Sequence, residues 1–161
     1  MNKYRVNIRK FQSGFTVIEI LISVFIIGLL AALSVAPFVS LNKSQALDKA
    51  ALLAISVLDE ARSLTLASKN SSRYGAHFED SQIVLFTGST YSAVATDNQI
   101  NPINSIILIS AISLAGGGSE VIFDRLTGAT SQYGSVTFSL KSDASNSKTV
   151  NIYATGAAQS D

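Results

Sequence analysis

The chain has no cysteine and no tryptophan, one histidine and two prolines among its 161 residues. Without cysteine there is no disulfide scaffold, no thiol nucleophile and no thiolate zinc site. The compartment stays open, because an exported domain can rest on an apolar core alone. The lone His77 cannot supply His-rich metal chemistry and reads as a surface or partly packed strand residue. Charged residues make up only 14% of the chain. No acid precedes Glu19, whereas Lys3, Arg5, Arg9 and Lys10 all do, so the first fourteen residues carry +4 and the remainder carries −3. A chain beginning at Phe15 would therefore not be a generic binder of polyanions. Gly116-Gly117-Gly118 lacks the lysine and hydroxyl residue of a phosphate loop and reads as a turn. Asp97 and Asp124 stand apart from any oxygen-ligand array. Asn42-Lys43-Ser44 and Asn70-Ser71-Ser72 match glycosylation sequons in a chain rich in Ser and Asn, and carry little weight. These absences predict no enzyme, no cofactor and no metal.

What is present is concentrated at the N-terminus. After Glu19 the run ILISVFIIGLLAALSVAPFVSLN reaches Lys43 without a charge. Such a run suffices to cross ~30 Å of hydrocarbon at ~1.5 Å per helical residue. The basic residues precede it, so the positive-inside rule keeps residues 1–14 in the cytoplasm and sends the chain after about residue 40 across. A cleavable signal peptide is the competing reading, with small-x-small sites at Ala32-Leu33-Ser34 and Ser34-Val35-Ala36. The length of the run, Pro37 after the second site and the acid at its start all speak against that reading. Glu19 is the anomaly, because a lone carboxylate beside an apolar run is costly unless it is paired, neutralised or drawn toward water.

Gly14-Phe15-Thr16-Val17-Ile18-Glu19-Ile20, followed by the apolar run through Ala32, resembles the type IV prepilin and type II secretion pseudopilin signature. The resemblance covers roughly residues 9–40. It implies that a prepilin peptidase cuts between Gly14 and Phe15, that Phe15 becomes an N-methylated N-terminus, and that the helix is retained. It assigns Glu19 to assembly, as the partner of a neighbouring subunit's terminal amine. Ile20 stands where many members carry leucine, and Pro37 lies one residue later than their proline. The resemblance further implies a single-pass protein of the bacterial inner membrane with its C-terminal domain outside the cytoplasm. Its partners would be the peptidase, sibling pilins or pseudopilins and an inner-membrane assembly platform.

Beyond the apolar run, Leu47, Ala50, Ala51, Ala54, Leu58, Ala61 and Leu64 recur at helical spacing, with no Gly or Pro from Phe38 through Tyr74. This predicts one long helix fading around Ala67–Asn70, with Gly28, Ser34 and Pro37 as candidate bending points. Arg73–Phe78 and Gln82–Phe86 read as a hairpin. Residues 87–102 read as a polar excursion anchored by Tyr91 and Val94. Further strands are predicted within 103–114, at Glu120–Phe123, at Ser135–Leu140 and at Thr149–Tyr153. Lys141–Lys148 has almost no apolar anchor and reads as a mobile hairpin tip. The expected fold is thus α+β and pilin-like. A leader spans residues 1–14, a transmembrane and filament-core helix 15–40, and a globular domain 41–161 whose helix packs on an antiparallel sheet.

Within that domain, Leu58–Ala67, Val121-Ile122-Phe123-Asp124 leading to Thr127-Gly128, and Val150–Tyr153 leading to Thr155-Gly156 are similar to H-type minor pseudopilins and related minor pilins. This second resemblance implies a minor subunit that helps initiate or cap a secretion pseudopilus or a type IV pilus. The rivals are a major pilin, disfavoured by the missing cysteines, and a G-type pseudopilin, disfavoured by the lack of a calcium loop. A DNA-uptake pilin is the third rival. After Ala115 the bases Arg125, Lys141 and Lys148 face Glu120, Asp124, Asp143 and Asp161, so only weak DNA binding is expected.

Overall fold

The computed structural model describes residues 14–161, and for residues 33–40 the backbone alone. The leader therefore lies outside the described residues except for Gly14. The chain divides after Ser40 into two compact units, Met1–Ser40 and Leu41–Asp161. A helix, α1, is assigned over Val17–Leu66, with Gly28, Ser34 and Pro37 inside its bounds.

Among the described residues no helix is long and apolar enough to cross a membrane. This corrects two expectations: the membrane-spanning first half of the helix within 15–40, and with it single-pass placement in the inner membrane. The described apolar side chains that follow Glu19 run from Ile20 to Ala32. They amount to about 20 Å of helix, against the ~30 Å of a hydrocarbon layer.

In the second unit α1 contributes Leu41–Leu66. Its apolar spacing puts Leu47, Ala50, Ala51, Ala54, Leu58 and Ala61 in the core, while Leu64 is half-buried. Four alanines on that face keep the helix surface low, which allows a sheet to approach closely. The helix stops at Leu66, where Ser68 and Asn70 take left-handed backbone conformations around a 3-10 turn at Lys69–Ser71. Thr65 fixes this ending. Its hydroxyl donates to Ala61 O at 2.8 Å and accepts from Tyr74 N at 2.9 Å, so the last helical turn is tied to the first strand.

Eight strands follow: β1 Tyr74–Glu79, β2 Gln82–Thr87, β3 Gln99–Pro102, β4 Ile107–Leu114, β5 Glu120–Ile122, β6 Gly134–Leu140, β7 Asp143–Ile152 and β8 Ala158–Ser160. They form two four-stranded sheets, β3-β2-β1-β5 and β4-β6-β7-β8, rather than one, and every pairing is antiparallel. Phe78, Phe123 and Phe138 are fully buried in a core shared with α1. Each contributes on the order of 1.5–3 kcal/mol of burial. Alternation on β6 sends Val136, Phe138 and Leu140 into that core.

Three local expectations are corrected. Lys141–Lys148 is not a free tip, because β7 starts at Asp143. The Asp143 carboxylate accepts from Ser145 N, Ser145 Oγ and Asn146 Nδ2, and Lys148 reaches Asp48 on α1. Backbone pairing needs no apolar side chains, which is why the composition misled. Val94 anchors nothing; it is 89% exposed. Two short strands, β3 and β8, lie in stretches too polar to announce themselves.

Candidate processing and assembly site

Gly14 and Phe15 precede α1 in non-helical backbone and are exposed, with Phe15 at 80%. Thr16 is the cap. Its Oγ1 accepts from Glu19 N at 3.3 Å, and its carbonyl accepts from Ile20 N at 3.3 Å. This is half of a Thr-x-x-Glu capping box, and it satisfies one of the orphan amides of the first turn. Glu19 therefore sits where the helix dipole favours an anion, in the first turn. Its carboxylate makes no ion pair among the described residues, while its carbonyl accepts from Ser23 Oγ at 2.7 Å. The sequence reading singled out Glu19 but missed Thr16, although the Thr-x-x-Glu spacing was the available signal.

From Phe15 to Leu30 the large apolar side chains are uncovered: Val17 is 78% exposed, Ile18 61%, Phe25 71% and Ile27 66%. A soluble monomer rarely leaves so much contiguous apolar surface to water, so the face calls for a partner surface.

The second unit shows how three separate stretches converge. Arg62 on α1 donates Nε to Gly128 O at 3.0 Å and Nη2 to Thr155 O at 3.2 Å. Gly128 and Gly156 both have positive φ and lie so close that a side chain on Gly156 would strike the Gly128 carbonyl. The guanidinium thus joins the helix end to the turns after β5 and β7.

His77 on β1 stacks on Tyr91 with ring centroids 3.9 Å apart. Tyr91 also donates its hydroxyl to Glu79 at 3.0 Å and its amide to Glu120 at 2.9 Å, so it anchors its loop as expected. Burial lowers the His77 pKa below its ordinary value, although Glu79 and Glu120 oppose the shift. The Gly116–Gly118 turn has three positive φ angles and open space around it. Among the described residues no three His, Asp or Glu side chains gather to hold a metal ion. Lys148 is engaged by Asp48, and Arg73 pairs with Asp124 at 3.2 Å.

Residues 9–35 match the family model of the prokaryotic N-terminal methylation motif. No curated protein and no solved structure matches the chain. The chain thus carries a prepilin-type processing and methylation motif, consistent with the broader type IV pilin and pseudopilin superfamily. The motif is typically processed by a prepilin peptidase and fits a pilin assembly pathway. The motif is consistent with a pilin-like structural protein.

Proposed function

We propose that the chain is a minor pseudopilin or minor pilin, cut between Gly14 and Phe15 and N-methylated at Phe15, which helps initiate or cap a pilus or pseudopilus. The observation that carries this reading is the uncovered apolar helix that starts beside the matched motif's Gly-Phe junction. Packing against the same face of sibling subunits removes that surface from water. The second unit decorates the bundle, and its surface recruits partners. Glu19 stands one helical turn beyond Phe15, free to meet the α-amino group of an adjacent subunit.

Such a pair need add nothing net, but stranding one partner costs on the order of 3–5 kcal/mol in a water-poor site. Glu19→Gln should leave cleavage intact and reduce crosslinking to sibling subunits in sheared filaments at least tenfold. Glu19→Leu should fail in the same way despite its apolar side chain. Normal incorporation of both variants would remove Glu19 from the assembly site. A loss confined to cleavage would assign it to peptidase recognition.

A further inference from the structure

The outer strands of the two sheets are β3, β5, β4 and β8. An unpaired strand edge presents N–H and C=O groups that another strand can take up. Among the described residues three of these edges are blunted. β3 ends in Pro102, and Asn101 Nδ2 occupies the Gln99 carbonyl. On β5, only three residues long, Ile122 N donates to Gln132 Oε1. β8 is also three residues long and is followed by the charged Asp161. β4 differs, with eight residues and a neighbouring strand, β6, on one side only.

The contacts at its two ends set the direction of its backbone groups. Ile109 N turns away from β6 and donates to Asp80 O at 3.3 Å. The register then shifts between Ile109 and Ala111. Past the far end, Ala115 N donates to Tyr133 O at 2.8 Å, on the β6 side. Bonding alternates along an antiparallel pair, so Ala111 and Ser113 bond toward β6, while Ile112 and Leu114 turn their backbone groups away from it. Leu114 O accepts from Gly117 N at 3.0 Å, but no backbone bond from another segment meets Ile112. Ser110, Ala111 and Ser113 are exposed, and Ile112 is half-buried against the core. No charged residue stands between Asp97 and Glu120, so the charged side chains that commonly guard an edge are missing from β4.

We propose that β4 pairs with β4 of a second copy of this chain, antiparallel about a two-fold axis at Ile112, so that the two β4-β6-β7-β8 sheets become continuous. The two Ile112 residues exchange N–H···O=C bonds, and each Ala111 stands opposite the partner's Ser113. The Ile112 side chains meet on the core-facing side, where each gains apolar cover. On the other side only the small side chains of Ala111 and Ser113 face one another, so nothing bulky holds the strands apart. A two-fold contact sets a patch against itself, and like charges directly opposite one another would destabilise it. The uncharged stretch from Ser110 to Leu114 has none to oppose, which is why a second copy fits this edge.

The test uses the full chain, held in a mild detergent that covers its exposed N-terminal helix. Because the chain has no cysteine, introduced thiols report alone. Ala111→Cys and Ser113→Cys proteins are mixed and oxidised. Residues opposed in a pair without mutual hydrogen bonds lie ~4.5 Å apart at Cα, within disulfide reach. The mixed disulfide between positions 111 and 113 should form about tenfold faster than one joining two copies at 111, or two copies of Gln159→Cys on β8. The β8 control separates strand pairing from crowding in a micelle. Amide exchange gives a second reading without thiols. The Ile112 amide should exchange about tenfold more slowly as rising protein concentration drives association. Ala111→Lys, a charge placed at an exposed position, should abolish that slowing and leave the melting temperature unchanged. Equal rates for the three disulfides would overturn the proposal, as would an Ile112 exchange rate independent of concentration. A disulfide at 111 that outpaces the mixed one would also overturn it, since it marks parallel strands, and so would slowing that survives Ala111→Lys.

Discussion

Replacing Gly156 by alanine tests the Arg62 junction with a single methyl group. Gly156 is buried and has φ +82, a left-handed backbone that costs an L side chain roughly 1–2 kcal/mol. The new Cβ would lie 1.9 Å from the Gly128 carbonyl oxygen and 2.9 Å from Arg62 Nε. The nearer atom is backbone, so the turn itself must shift. That carbonyl accepts the Arg62 bond, a charge-assisted hydrogen bond worth about 1.5–3 kcal/mol. The sum is roughly 3–5 kcal/mol, a large share of the 5–15 kcal/mol that holds an ordinary domain. Gly116→Ala supplies the control, because Gly116 has φ +85 with no atom within 4 Å of the added Cβ. It should cost only the conformational part, about 1–2 kcal/mol. Urea unfolding followed by far-ultraviolet circular dichroism measures both variants. Equal losses for the two would refute the argument that Gly156 is fixed by the close approach of Gly128 and Arg62.

Two further outcomes are expected. Because burial holds the His77 pKa below its unfolded value of about 6.5, the unfolded chain binds more protons over that range. Stability should therefore fall as pH drops through and below ~6.5; a His77→Phe chain, which keeps a ring against Tyr91, should lose that part of the pH dependence in its melting temperature. A fragment beginning at Leu41, where the second compact unit begins, should fold with mixed α/β circular dichroism and melt at one temperature with or without reductant. An unfolded fragment would show that the preceding helix is required for folding.

The features legible in the sequence share one physical property: they repeat. The helical spacing from Leu47 to Ala61 identified the buried face of α1, and the alternation from Ser135 to Leu140 identified a strand with one covered side. The prepilin-type motif within residues 9–35 was legible because a basic segment, a glycine, an aromatic residue and an acid stand in a fixed order. What escaped depends on pairing between distant residues. β7 begins at Asp143 because backbone bonds to β6 and the Lys148–Asp48 contact hold it there, and no apolar pattern marks either. The Arg62 junction joins residues 66 and 93 positions apart; the three stretches were noticed separately, and only the fold shows that one guanidinium unites them. The membrane span was inferred from an uncharged run, and the described helix does not supply a segment long and apolar enough for it.

The most direct test of the account is the N-terminus of the mature chain. Coexpressed with an active prepilin peptidase, the protein should lose residues 1–14. Intact mass and N-terminal sequencing should then find a chain that starts at Phe15 and carries one added methyl on its amine. Gly14→Ala should slow that cleavage, because it adds a side chain at the scissile glycine. A chain left whole beside an active peptidase, or one cut after Ala36 to begin at Pro37, would contradict the reading of residues 9–35 as a prepilin-type processing segment.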